Sequence, residues 1–178
     1  MPPTTPRSSI GIASYLNGSI YTFGGIKDDG LCNNCEAYNI ENDEWTVLSP
    51  MQVKISHASS TVINGEIFVC GYGSNMIYKY KPDENKFIRI LQFESEDHKI
   101  MYSAYNNLYI ICNKKIIEYE TKSDNRVRKT INLDIDRSLY LLSYIVTRKN
   151  WVYFLLSDKF VYRINIFDRD KFEKFVKF

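Results

Sequence analysis

The sequence predicts an all-β fold of about four repeated antiparallel units, and three observations predict it. Aromatic residues make up 15% of the 178 residues, with 14 Tyr and 10 Phe, and such side chains suit pleated, half-buried surfaces better than helices. The segment Asn17-Gly18-Ser19-Ile20-Tyr21-Thr22-Phe23-Gly24-Gly25 returns 47 residues later as Asn64-Gly65-Glu66-Ile67-Phe68-Val69-Cys70-Gly71-Tyr72. Two fainter echoes follow at 106–112 and 149–155. A repeat at this period marks stacked supersecondary units rather than one continuous sheet.

Each unit opens with a turn. Asn-Gly is the pair that best tolerates the positive φ angles of a type I′ hairpin, and the last two echoes keep an Asn there. The strands after the turns, at 67–70, 108–112 and 151–156, are almost continuously apolar. That pattern fits strands covered on both faces by neighbouring sheets. A second landmark is a tyrosine, at Tyr38, Tyr80, Tyr119 and Tyr162, with intervals of 42, 39 and 43 residues. Tyr38 leads across a polar turn to Trp45, and Tyr80 takes the same seven-residue step to Phe87. Val127 and Phe172 follow weaker versions of the turn, at 123–125 and 168–170. Each unit is therefore a four-stranded meander, with no helix needed. The last residues read two ways, since Phe172, Phe175 and Phe178 suit a helical face while Phe172, Lys174, Val176 and Phe178 alternate like an edge strand, and the strand is preferred. The units run approximately 7–50, 51–93, 94–133 and 134–178, within one domain.

Composition narrows the function. Hydrophobic residues at 44% and charged residues at 25% are those of a chain with a packed core. A formal charge of +2 is too small for the broad positive field that nucleic acid binding needs. No signal-type segment and no apolar run long enough to span a bilayer is visible, so we expect a soluble, cytoplasmic chain with no membrane partner. Cys32, Cys35, Cys70 and Cys112 are too few for a disulfide framework.

These residues resemble kelch repeats. Their pattern is a hairpin turn, a strand ending in Gly-Gly, then Tyr, a polar turn, Trp, and a Pro-Met step before an Arg. The first unit supplies Asn17-Gly18, Gly24-Gly25, Tyr38, Trp45 and Pro50-Met51; the second keeps Asn64-Gly65, Gly71, Tyr80 and Pro82, with Phe87 in the Trp place. The resemblance implies a kelch-type β-propeller segment of about four blades, an incomplete ring, since a six-bladed ring at roughly 50 residues per repeat needs about 300 residues. Pro50-Met51-Gln52-Val53-Lys54 lines up with Pro3-Thr4-Thr5-Pro6-Arg7, which places Met1 inside a connection between strands. An open array exposes edges and apolar faces, so missing blades, a partner or self-association are expected to cover them.

Within that group, the Tyr to Trp spacing and the Pro-Met step resemble those of the C-terminal propellers of BTB-kelch proteins. This likeness implies a non-enzymatic protein-interaction module, and, if the sequence is a fragment of a longer protein that carries the BTB region, one that captures substrate for a cullin-type ubiquitin ligase. Alternative readings are an actin or cytoskeletal scaffold, and a truncated kelch protein acting as competitor or remnant. The resemblance also places Arg7 and Lys54 on the face that grips acidic or hydroxyl-rich peptides, with Ser8, Ser9, Ser56 and His57 beside them. Solvated surface charge and loop-end capping are the plainer readings of the same residues.

Nothing in the sequence points to catalysis. Only His57 and His98 exist, no nucleophile-base pair or placed carboxylate pair is evident, and neither cofactor nor metal is expected. Cys32-Asn33-Asn34-Cys35 has the spacing of half a zinc site without a second half, which leaves two exposed loop thiols. Arg126, Arg128 and Lys129 read as a solvated hairpin tip, and Asn17-Gly18-Ser19, formally a glycosylation acceptor, is explained by its turn.

Overall fold

The computed structural model describes residues 6–10, 14–96, 99–112, 115–121, 126–133, 141–148, 150–165, 167–168 and 172–177. Four antiparallel meanders follow one another along the chain. The first contains β1 (Ser14–Leu16), β2 (Ser19–Phe23), β5 (Cys35–Asn39) and β6 (Glu44–Val47), with a separate ribbon of β3 (Ile26–Lys27) and β4 (Gly30–Leu31) between its second and third strands. The second holds β7 (Ser56–Ile63), β8 (Glu66–Tyr72), β9 (Met76–Lys81) and β10 (Lys86–Gln92). The third holds β11 (Ile100–Ala104), β12 (Asn107–Cys112), β13 (Lys115–Glu120) and β14 (Arg126–Asn132). The fourth holds β15 (Leu141–Arg148), β16 (Trp151–Leu156), β17 (Phe160–Asn165) and β18 (Phe172–Lys177). The C-terminal segment is thus a strand. The sole helical turn among the described residues is the 3-10 turn Pro82–Glu84.

The turns form as their residues dictate. Asn17 and Gly18 have φ of 49° and 78°, and Asn64 and Gly65 have 51° and 78°, the paired positive values of a type I′ hairpin. In the third unit the two turn positions are Tyr105 and Asn106, at 51° and 61°. The tyrosine landmarks close the opposite hairpins. The Tyr38 hydroxyl donates to Asp43 Oδ1 at 2.7 Å and the Tyr80 hydroxyl to Asn85 Oδ1 at 2.8 Å. Each acceptor is itself left-handed, at φ 54° and 47°. Tyr38 pairs with Trp45 and Tyr80 with Phe87 across the strands, their rings 5.2 and 4.7 Å apart.

Strand pairing corrects the fourth landmark. Ile20 pairs with Tyr38, Ile67 with Tyr80 and Leu108 with Tyr119, but Val152 pairs with Ile164. Ile164 therefore takes the tyrosine place, and Tyr162 lies two residues earlier on the same face. The polar turn at 123–125 lies outside the described residues, as do positions 169 and 170 of the fourth.

The core is not inside any sheet but between sheets. Phe23, Cys35, Ile55, Ile67, Val69, Tyr80 and Phe87 fill the space between the first and second. Phe68, Cys70, Ile77, Leu108, Ile110 and Tyr119 fill the next, and Tyr109, Ile111, Ile116, Val152, Phe154 and Ile164 the last. This explains the unbroken apolar strands: in β8, alternate residues serve cores on opposite sides. The first strands of successive sheets lie side by side, so they surround a common axis. Every sheet is made from one contiguous stretch, and the array does not close.

Candidate functional site: the loop face beside the axis

The described loops at one end of the axis are built around glycines. Gly24 has φ 61°, and a Cβ there would lie 2.3 Å from the Ile55 carbonyl oxygen. That close approach lets the segment entering the second sheet pass, with Gly25 N–H donating to the Ile55 carbonyl at 2.7 Å and Ile55 N–H to the Cys32 carbonyl at 3.0 Å. Gly71 plays a similar part, since a Cβ there would meet the Ser56 carbonyl at 2.9 Å. The β3–β4 ribbon, which the repeat pattern does not anticipate, clasps the segment 6–10 from the other side. Ser8 and Ile26 exchange both backbone hydrogen bonds, at 2.9 and 2.7 Å, and the His57 N–H donates to the Ser9 carbonyl at 2.9 Å.

Ser8, Ser9, Ser56 and His57 are therefore brought together. Ser8 and His57 are exposed, whereas Ser56 is buried. The Ser56 Oγ and His57 Nδ1 lie 3.1 Å apart, a neighbour contact whose hydroxyl is shielded from any substrate. His57 holds φ 46°, in the left-handed region that His adopts more readily than most side-chain-bearing residues. Lys54 is exposed beside this cluster. Tyr72, paired with Ser56, is 55% exposed. The sequence signal for Tyr72 was available: it replaces the second glycine of the Gly-Gly doublet with a large aromatic side chain.

Arg7 departs from its expected place. Its guanidinium turns into the first blade, donating to the Gly24 carbonyl at 2.7 Å, to the Asn34 carbonyl, to Thr22 Oγ1 at 2.8 Å and to Glu36 Oε2 at 2.7 Å. Both members of the Arg7–Glu36 pair have side chains 1% exposed. One mark aligns Arg7 with Ile55 rather than Lys54: Ser9 and His57, each two residues on, share the left-handed φ of 47° and 46°. The 47-residue register thus slips by one here, and Arg7 and Lys54 are not equivalent. Arg7 is neither a surface charge nor an exposed grip; its donors organise the blade.

The expectation of two exposed loop thiols at Cys32 and Cys35 is also corrected. They are 5% and 1% exposed, because Cys32 bridges Ile55 and Cys35 packs in the first core. Burial pushes the Cys35 thiol up to about 12. All four cysteines are free. Among the described residues, no group of three or more His, Cys, Asp or Glu could hold a metal, and no helix is long and apolar enough to cross a membrane.

Comparison with known proteins matches the Kelch motif family to residues 13–52, which is the first meander with its turns. Human Kelch-like protein 15 is 35% identical over 85 residues, covering 40% of this chain and 14% of that protein. Kelch repeat and BTB domain-containing protein 1 of cowpox virus is 27% identical over 115 residues, covering 59% of this chain and 20% of its own length. The chain thus spans a minor part of the relatives it matches. Among solved structures, that of YjhT superposes with a TM-score of 0.73 at 11% identity, covering 98% of this chain and 66% of that one.

Proposed function

We propose that this chain, a kelch-repeat propeller segment, recognises another protein through the loop face beside its axis, in the manner of a substrate receptor for a cullin-type ubiquitin ligase. Kelch repeats and kelch-like relatives support a protein-interaction module in general. The propeller fold and its repeat family are typical of non-enzymatic modules. The ligase assignment is our own extension from relatives whose names carry a BTB domain.

The observation that carries the reading is the presentation of Tyr72, His57 and Lys54. They are exposed side chains on a backbone locked by ribbon, glycines and cross-segment hydrogen bonds. An aromatic ring held rigidly beside donors loses little conformational entropy on binding. Lys54 favours an acidic partner segment, and Tyr72 gives it an apolar anchor. Free cysteines suit a reducing compartment, and we place the module in the cytoplasm.

The test is capture from cell extract on immobilised full-length chain, against the triple variant Lys54→Glu, His57→Ala, Tyr72→Ala. Proteins lost from the variant should be those that accumulate in cells when cullin ligases are inhibited. An identical recovered set would remove the loop face as the binding surface. A changed set without accumulation would leave recognition standing and remove the ligase role.

A further inference from the structure

Two hairpin tips carry the same Asn-Gly pair in the same type I′ turn, yet their surroundings differ at one bond. Asn17 and Asn64 are both exposed. Among the described residues neither side chain is hydrogen-bonded, and a Cβ at Gly18 or Gly65 would meet nothing within 4 Å. The Ile40 N–H donates to the Gly18 carbonyl at 3.0 Å, which ties the first tip to the turn behind Tyr38. In the second unit the residue two beyond the tyrosine is Pro82, which has no N–H to give. Among the described residues no hydrogen bond engages Gly65. Two asparagines elsewhere are held by their amides and precede bulky residues. Asn107 Nδ2 donates to Glu118 Oε1 at 2.8 Å before Leu108, and Asn85 Oδ1 accepts from Tyr80 and Ser49 before Lys86.

The Asn64 Cγ and the Gly65 nitrogen close a five-membered ring when they meet, and glycine puts no side chain in the way. We propose that Asn64-Gly65 is a site of spontaneous covalent modification, where the Asn64 amide of the folded chain is converted through a cyclic imide to aspartate and isoaspartate faster than at Asn17-Gly18. The Gly65 nitrogen gives its proton to water and attacks Cγ. The N–Cγ bond forms, the Cγ–Nδ2 bond breaks, and ammonia leaves with a proton returned by water. Water then opens the imide. Hydrolysis at Cγ gives aspartate, and hydrolysis at the main-chain carbonyl gives isoaspartate, whose backbone runs through the side chain and is one carbon longer. Ring closure turns the peptide between the two residues; the Ile40 bond resists that turning at Gly18, and Pro82 offers no such bond at Gly65. Both products place a carboxylate two residues from Glu66, which already pairs with Lys79 at 3.0 Å. The turn joins β7 to β8, whose far ends carry His57 and Tyr72, so the added carbon enters the hairpin that presents both.

The full chain, kept folded in mildly alkaline buffer, is sampled over time and mapped by proteolysis and mass spectrometry, with isoaspartate counted by methyl transfer from an isoaspartyl methyltransferase. Asn64 is expected to convert several-fold faster than Asn17, and in urea the two rates should draw together, because the difference lies in the fold. Pro82→Ala supplies the missing N–H and should slow Asn64 toward the Asn17 rate; if that variant unfolds, the comparison of native and urea-unfolded chain decides alone. Equal rates at the two sites in the folded chain would overturn the proposal. Conversion seen only in urea would overturn it too, since the hairpin would then hold its turn shut. A folded Pro82→Ala chain that converts Asn64 as fast as the parent would do the same.

Discussion

Arg7 Nη2 lies 2.7 Å from Glu36 Oε2, with both side chains 1% exposed. The pair joins the segment before the first sheet to the middle of that sheet. Glu36 belongs to a strand whose counterpart in the second blade carries Tyr78 instead, and Thr22, which also accepts from Arg7, is matched there by Val69. One blade thus pins its incoming segment with an ion pair and the next does so with Ile55 packed against apolar side chains.

Removing one partner of such a pair strands a buried charge. Arg7→Ala or Glu36→Gln should each destabilise the chain by about 3–5 kcal/mol, whereas replacing both by apolar residues of similar volume should cost less. Lys54→Ala should stay within about 0.5 kcal/mol. Urea unfolding of the variants decides it; equal effects for Arg7→Ala and Lys54→Ala would contradict the geometry.

Gly24→Ala must both adopt φ 61° and push its Cβ to 2.3 Å from a backbone oxygen. Gly18→Ala faces the positive φ of 78° alone, with nothing within 4 Å. The expected costs are about 3 kcal/mol or more for Gly24, where strain and overpacking add, and about 1–2 kcal/mol for Gly18. Thermal midpoints of the two variants, compared with wild type, give the order directly.

The buried thiols should be silent in the native chain. Burial pushes Cys35 and Cys70 up to about 12 from an ordinary 9.0, so both stay protonated at neutral pH, and alkylation should follow unfolding. The sign of the pH effect is set by the raised native values. Their contribution is fully present below pH about 9 and is lost as pH rises toward about 12, because the unfolded thiols ionise first. Denaturant titrations at pH 8 and pH 10.5 should show lower stability at the higher pH, and the Cys35→Ala, Cys70→Ala variant should show a smaller drop.

Tyr80→Phe removes the donor to Asn85 Oδ1, an oxygen that also accepts from the Ser49 N–H at 2.9 Å. The cost should be about 0.5–1.5 kcal/mol, and larger than that of Tyr38→Phe on the exposed first turn. The Tyr38 bond holds the Asp43 carboxyl below its ordinary range. Any stability from that bond is therefore present above the ordinary carboxylate range and lost as pH falls through the native value. Tyr38→Phe should flatten this acid limb; an unchanged acid limb would remove the role.

Much of the fold was legible because the repeat is local. Asn-Gly turns, Tyr to Trp steps and apolar strands each depend on a few neighbouring residues, so their spacing announced four meanders in order. Ile164 was not legible as the fourth landmark: an aromatic two residues away on the same face carries the same pattern, and only strand pairing separates them. The candidate site was half legible. Ser8, Lys54 and His57 stand on the loop face, but Arg7 looked like surface charge because its acceptors lie 15 to 29 residues along the chain.

The all-β class, the turn types and the succession of repeat units follow from short stretches of chain, because backbone sterics and the period of apolar side chains act locally. Which polar groups are buried depends instead on contacts between distant segments. Cys32, Cys35, Arg7 and Glu36 are polar or reactive groups in a loop-rich stretch, and they lie inside because Gly24 lets the Ile55 segment cross against them. That crossing joins residues about 30 positions apart. A close approach between distant backbone segments leaves no periodic trace in the chain.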